Sequence, residues 1–227
     1  MRLIEHQITG TPLRIMESAM RLFAQSGLDA VSVREIALDA NVNGAAINYH
    51  FGTKEQLIRE IFRRLFGRVN ELRTKALDDY ETGAVVDPPE AEPIIRAFIE
   101  PLVQVSFDEE SGGIYLVPLL FHAFGVRRDF IDKSIYDQVD DIFVRFAEAL
   151  QRAFPRCGRE EVFWRLDFAI GACQHILLDR QRSHRLKRLS GGLCNTADPQ
   201  MIIEQLVASV IGCMSAPAKS RPAEAIR

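Results

Sequence analysis

The 227 residues predict an all-α chain, and three observations carry that expectation. Apolar residues recur at three- and four-residue spacing along most of the chain, the period of a helix with one buried face. Helix-start chemistry recurs too. Ser32 with Glu35 and Thr53 with Gln56 form capping boxes, and Thr11-Pro12 and Asp198-Pro199 set a capping residue ahead of proline. No segment shows the alternation of a half-buried strand, and no internal repeat is present. About nine helices are expected: a head of three, then a larger body.

Met1 to Gly10 lacks periodicity and reads as a frayed arm, not a targeting peptide. Thr11 caps the first helix, whose stripe is Ile15, Ala19, Leu22 and Phe23, and Gly27 stops it. Val33 to Phe51 holds two short helices around a break at Asn41-Val42-Asn43. Ile36, Ala37 and Ala40 face inward on the first of these. Asn41 suits a left-handed position, Val42 plugs the angle, and Asn43 caps the second helix, which turns Ala46 and Ile47 inward. Gly52 ends that helix. A long helix follows from Thr53, with Leu57, Ile58, Ile61, Phe62, Leu65, Phe66, Val69 and Leu72 on its apolar side.

Gly83 to Pro93 has linker composition. The next helix carries Ile95, Phe98, Ile99, Leu102 and Val105, and Pro101 inside it predicts a kink or break. Ile114 to Gly125 is short and nearly all apolar, hence buried. Asp129 to Phe154 and Glu160 to Arg182 are amphipathic. A polar loop with Ser190-Gly191-Gly192 leads to the last helix from Pro199. The basic cluster Arg180, Arg182, Arg185, Lys187 and Arg188 reads as a solvated helix terminus. The expected division is a head over 1–53, a body over 54–215 and a disordered tail over 216–227.

Composition narrows the function classes. A chain of this size buries roughly 70% of its extended surface, so it needs no disulfide or metal to fold. Net charge is −3, distributed as +2 over 1–70, −8 over 71–110 and +3 over the remainder. That pattern argues against uniform nucleic-acid coating and leaves room for one local reading head. Cys157, Cys173, Cys194 and Cys213 contain no Cys-x-x-Cys pair, consistent with reduced thiols in a cytoplasm. The most apolar run, Ile114 to Val126, is far short of a membrane span. No glycine-rich phosphate loop, nucleophile elbow or metal signature is present, so no enzyme, cofactor or metal site is expected.

The pattern of Val33 to Phe51 is the helix-turn-helix plan, whose second helix can enter a major groove. Asn43 and Asn48 can offer amides to base edges, and Tyr49 and Lys54 are donors suited to phosphate. Arg34 is a further backbone candidate.

The run from Ile15 to Leu57 resembles the DNA-binding domain of TetR-family transcriptional regulators. The matching pieces are Ala19 to Ala24, Gly27, Ser32 to Ala37, Val42, Asn48 to Gly52, and Lys54-Glu55. The resemblance implies that Ser32, Arg34, Asn43, Gly44 and Ala45 face DNA, with Asn48, Tyr49, His50, Thr53 and Lys54. His50 resembles the family's phosphate-contacting histidine. Gly44 departs from the pattern, because many relatives carry a cation there. The family further implies a homodimer on palindromic double-stranded DNA, built from the last two long helices, and a small-molecule effector bound in the body. Trp164, Phe168 and Ile176 on one helix, and Ile203, Leu206, Val207, Val210 and Ile211 on the other, are the expected dimer contacts.

In the body, Tyr115, His122, Gln174 and His175 read either as satisfied core groups or as anchors in an apolar ligand pocket. The second reading adds Phe98, Leu102, Phe121, Phe124, Phe143, Phe146 and Phe168 as lining. Glu161 to Arg165 and Phe168 with Gly171-Ala172 are similar to PsrA-like, fatty-acid-responsive regulators, which implies a fatty acid or acyl derivative as effector. A ligand-binding adaptor that has lost DNA affinity is the alternative function.

Overall fold

A computed structural model of the chain describes residues 9–83, 87–124, 129–182 and 184–217, with side chains throughout except at 124, 129–138 and 182. Among the described residues there are ten α-helices and no strand. They are α1 (Thr11–Ser26), α2 (Val33–Asp39), α3 (Gly44–Phe51), α4 (Lys54–Gly83), α5 (Ala91–Ser106), α6 (Leu116–Phe124), α7 (Asp129–Ala153), α8 (Arg159–Arg182), α9 (Arg185–Leu189) and α10 (Pro199–Ser215), with one turn of 3₁₀ helix at Gly113–Tyr115. None of the described helices is long and apolar enough to cross a membrane. The frayed arm expected at the N-terminus falls outside the described residues up to 8, as do linker residues 84–86 and the tail from 218.

The described chain packs as two compact units, one drawn from 1–70 with 105–140 and the other from 71–104 with 141–227. This grouping by packing cuts through α4, α5 and α7, whereas the division expected from sequence ends the head at residue 53.

In the first unit, Ile15, Phe23, Leu28, Ile36, Ile47, Leu57 and Phe62 are fully buried and form one apolar centre. α6 packs on α1: the Nε2 of His122 lies 3.3 Å from the Ala24 carbonyl in the last turns of α1. The loop ahead of α6 also closes on α1. Gly112 sits at φ 72°, and a Cβ there would lie 2.7 Å from the Met20 methyl. Arg68 on α4 reaches Asp108 of the same loop at 2.6 Å.

In the second unit, α10 packs against α8. Ile202, Ile203, Leu206, Val207, Val210 and Met214 form the buried face of α10. Asp198 caps it by accepting from the Gln200 and Met201 amides at 2.9 and 3.3 Å. Arg165 of α8 is 7% exposed and fully engaged. It donates to the Met214 and Ala216 carbonyls at 2.6 and 2.9 Å and to Glu161 at 2.8 Å.

Three expectations are corrected. The residue capping α1 is Gly10, at φ 69°, and Thr11 is already helical with Pro12 in the first turn; proline at either of the first positions loses no bond, so the register was ambiguous by one residue. The break allowed for at Pro101 is absent, and α5 continues through it to Ser106. Part of the polar loop and its basic cluster is helix α9, whose start is held by buried Asp179 accepting from the Arg185 and Leu186 amides at 3.1 and 3.0 Å.

Candidate nucleic-acid interface

The candidate site is the surface of α2 and α3, and its shape follows from how each end is closed. At the start of α2 the Ser32 amide donates to Glu35 at 2.7 Å and the Glu35 amide donates to the Ser32 hydroxyl at 3.2 Å. The Ser32 hydroxyl also donates to the Glu35 carboxylate, at 2.7 Å, and this bond, with that from the Ser32 amide, holds the carboxyl below its ordinary range. At its end, Asn41 takes φ 51°. The Asn41 amide donates to the Leu38 carbonyl and the Val42 amide to the Ala37 carbonyl, at 3.2 and 2.9 Å. This paired closure is the Schellman arrangement. It reverses the chain within three residues and delivers Asn43, whose Oδ1 accepts from the Ala45 amide at 3.0 Å to start α3.

α3 ends at Gly52, φ 74°, whose amide donates to Asn48 at 3.0 Å. Thr53 then opens α4 with a second box: its amide donates to Gln56 Oε1 at 2.7 Å and the Gln56 amide donates to its hydroxyl at 3.2 Å. A Cβ at position 52 would lie 2.0 Å from that Gln56 oxygen, so glycine is required by both the turn and the cap. An ion pair between Arg21 of α1 and Asp39 of α2 ties the scaffold together and holds the Asp39 carboxyl below its usual range, with Ser18 assisting.

Within α3, Ile47 alone is buried. Asn48, Tyr49 and His50 therefore project outward, and Tyr49 is 85% exposed. The rings of Tyr49 and His50 meet edge to face with centroids 5.0 Å apart. Ser32, Arg34, Asn43, Ala45 and Thr53 are also exposed, and Gly44 is half-buried. Nine of the ten expected DNA-facing positions are thus exposed or half-buried along α2, α3 and the residues that start them and α4. Lys54 differs. Its ammonium is turned back on the head, 3.4 Å from the Asp29 carbonyl and 5.7 Å from the centre of the Phe23 ring, and burial lowers its pKa. The chemistry available on this surface is hydrogen bonding by amide, phenol, imidazole and guanidinium groups, with no buried nucleophile or acid–base pair. Among the described residues there is no cluster of His, Cys, Asp and Glu fit to hold a metal.

The residues expected to line a ligand pocket fall in both units. Phe98, Leu102 and Phe146 are buried in the second unit, with the rings of Phe98 and Phe146 5.0 Å apart. The rings of Phe143 and Phe163 are tilted to each other with centroids 5.7 Å apart. Phe168 is 58% exposed beside Trp164, which is 57% exposed, and His175 is exposed with Arg185 at 3.2 Å. Gln174 is half-buried. Tyr115, Phe121 and His122 belong to the other unit, where Phe121 is exposed and His122 is engaged with α1. The side chain of Phe124 lies outside the described residues. An open cleft of about 520 Å³ in the second unit, lined by Phe154, Cys157, Met214 and Pro217 among others, contains none of the eleven.

The expected dimer contacts divide as well. Ile203, Leu206, Val207 and Val210 are buried within the protomer. Ile176 and Ile211 are half-buried. The outward side of α10 carries Met201, Ala208 and Gly212 instead. Sequence reasoning also missed Arg73, 6% exposed. The signal was its place between Val69 and Leu77 at four-residue spacing, which puts a cation on the apolar stripe of α4.

A family model described as bacterial regulatory proteins, tetR family, matches residues 15–61, and one described as the Tetracyclin repressor-like C-terminal domain matches 96–212. The HTH-type transcriptional repressor KstR2 of Rhodococcus jostii (strain RHA1) is 35% identical over 78 residues, 33% of this chain and 38% of that protein. The HTH-type transcriptional regulator AcrR of Shigella flexneri is 30% identical over 112 residues, 49% of this chain and 48% of that protein. These alignments span less than half of either relative's length. Among solved structures, the ketosteroid transcriptional regulator KstR2 of Mycobacterium tuberculosis matches with a TM-score of 0.66 at 15% identity, over 92% of this chain and 97% of that one. That likeness is one of fold.

Proposed function

The chain belongs to the TetR family of bacterial regulatory proteins, and from that premise we propose that it is a cytoplasmic repressor that grips a palindromic operator as a homodimer and releases it when a small apolar ligand occupies the body. The family is one of DNA-binding transcriptional regulators, not of enzymes. The observation that carries the reading is the outward triad Asn48, Tyr49 and His50 on a helix seated by one buried side chain and closed at both ends. Such a helix keeps its backbone order while leaving its polar side chains available to a groove. Tyr49 and His50, with Arg34 and Thr53, supply phosphate donors that set register; Asn48 and Asn43 supply amides for base edges. Lys54 contributes chiefly by fixing the start of α4 against the head, where the helix N-terminus itself attracts an anion.

The exposed side of α8, with Trp164 and Phe168 one turn apart, and the small outward residues of α10 are the surfaces offered to a second copy. Two-fold pairing there sets two heads on successive major grooves, about 34 Å apart. A ligand that binds more tightly to the copy with unsuitable head spacing shifts the population away from DNA. A fatty acid or acyl derivative is the expected ligand class.

The test is a gel shift on the DNA upstream of the chain's own coding region, at several salt concentrations. Binding should weaken steeply with salt. Tyr49→Ala should weaken it across all sequences, and Asn48→Ala should relax discrimination at one base pair by about 1–3 kcal/mol. Full binding by both variants would remove α3 from the interface.

A further inference from the structure

We propose that α3 recognises an A·T core in each operator half-site, adenine by the carboxamide of Asn48 and a thymine methyl by Ala45, with no guanine read from this helix. This rests on the regulator reading above and names the chemistry of its DNA target.

The inference begins with what α3 lacks. None of its eight residues is Lys, Arg, Asp or Glu. In the major groove guanine is read most strongly by the paired donors of an arginine or a lysine, and cytosine by a carboxylate that accepts from its amino group. Neither member of a G·C pair finds its charged reader on this helix. The neighbouring charges do not make up the difference. On α2, Glu35 accepts from the Ser32 amide at 2.7 Å and Asp39 is paired with Arg21. Lys54 is turned back on the head. Arg34 is exposed and without a partner among the described residues. It belongs to the helix that crosses the DNA backbone in this arrangement, where phosphate is its partner.

What α3 does offer suits A·T pairs. The two asparagines are not equivalent. Asn43 Oδ1 is engaged by the Ala45 amide at 3.0 Å. The Asn48 side chain is exposed and has no hydrogen-bond partner among the described residues. Its oxygen and nitrogen are both available, and adenine presents the matching pair, an amino donor beside the N7 acceptor. Ala45 is exposed three positions earlier, on the same side of the helix. Its methyl can pack on the C5-methyl of thymine, the apolar group of the major-groove floor. Gly44 precedes it, and a Cβ there would meet nothing within 4 Å. The interior therefore does not require glycine at this position. Its missing side chain keeps the first turn of α3 low and lets Ala45 approach the base edges closely.

The test uses the full-length purified protein and a pool of duplexes with a randomised centre. Repeated selection of the bound fraction at fixed salt gives the preferred half-site. Selection with Asn48→Ala and Ala45→Gly shows which positions α3 reads, and these should be A·T pairs. Base analogues then address single atoms in the wild-type complex, with affinity measured by fluorescence anisotropy. Uracil in place of the core thymine removes its methyl and should weaken binding about fourfold, the contribution of one buried methyl. In place of the core adenine, 7-deazaadenine removes N7 and should weaken binding about fivefold or more. Asn48→Ala should bind the deaza and parent sites equally, and Ala45→Gly the uracil and parent sites equally. Gly44→Lys, for which the fold has room, should shift selection toward guanine at one position. The proposal is overturned if the positions lost in the two α3 variants are G·C pairs, or if the wild type binds either analogue site as tightly as the parent. A G·C core bound with steep salt dependence sinks the A·T reading alone. A pool in which no sequence is enriched sinks the regulator and this reading with it.

Discussion

In the head, Ser32, Asn43 and Thr53 each close a helix start at the surface, using partners two or three positions away. In the second unit, Arg73 and Arg165 are carried inside and find partners 25 and 49 positions away. The first kind of polar group stabilises a segment and leaves it free to present its other side chains. The second kind joins distant helices and, once its partner is removed, leaves a charge that water cannot reach. A surface cap typically contributes about 1 kcal/mol; breaking a buried ion pair costs several times that.

The comparison can be broken in three places. The largest effect is expected at Arg165. Its replacement by Met strands the half-buried Glu161 and two carbonyl oxygens, at a cost of about 3–5 kcal/mol, whereas Arg73→Met should cost little or nothing. Chemical denaturation of the two variants side by side measures this directly, and equal losses would erase the distinction between a buried arginine paired with a carboxylate and one bonded to a carbonyl alone. Next is Ile47→Ala, which removes the one buried side chain of α3 and should cost about 2–4 kcal/mol. DNA binding should fall with it, more than with Tyr49→Ala, because the whole helix loses its seat. A variant with wild-type Tm would show that the caps alone hold α3.

The smallest effect concerns pH. The Asp39 carboxyl, held below its usual range chiefly by Arg21, binds its proton less readily when folded than when unfolded. Its contribution is therefore complete above the ordinary carboxylate pKa of about 4 and is lost as pH falls through the lower folded value. Asp39→Asn should reduce the drop in Tm between about pH 5 and about pH 3. The pair is at the surface, so the change should be modest. An unchanged pH profile would mean that the Arg21–Asp39 contact does not persist in solution.

How far these features could be read beforehand depends on their range in sequence. The capping boxes at Ser32 and Thr53, the left-handed Asn41 and the cap at Asn43 depend on a handful of adjacent residues, so their chemistry is written in the local string. Helix α9 was not legible, because its start depends on Asp179 in the preceding helix. Periodicity marks Ile203, Leu206, Val207 and Val210 as a covered stripe but does not say by which copy, and the structure finds them buried within the protomer. His122 was grouped with the ligand-binding aromatics for the same reason; its partner, Ala24, lies 98 positions earlier. Arg73 was hidden by residue type: arginine on a helix usually carries its head to solvent, and only the packed structure shows that this one does not.

That α3 is seated by Ile47 alone has an evolutionary side. The exposed residues Ala45, Asn48, Tyr49 and His50 owe little to the interior, so substitutions among them can change which operator is favoured with little penalty in folding. Paralogues could then diverge to new target genes through single changes at positions such as 44, 45 or 48, long before the remainder of the chain had to follow.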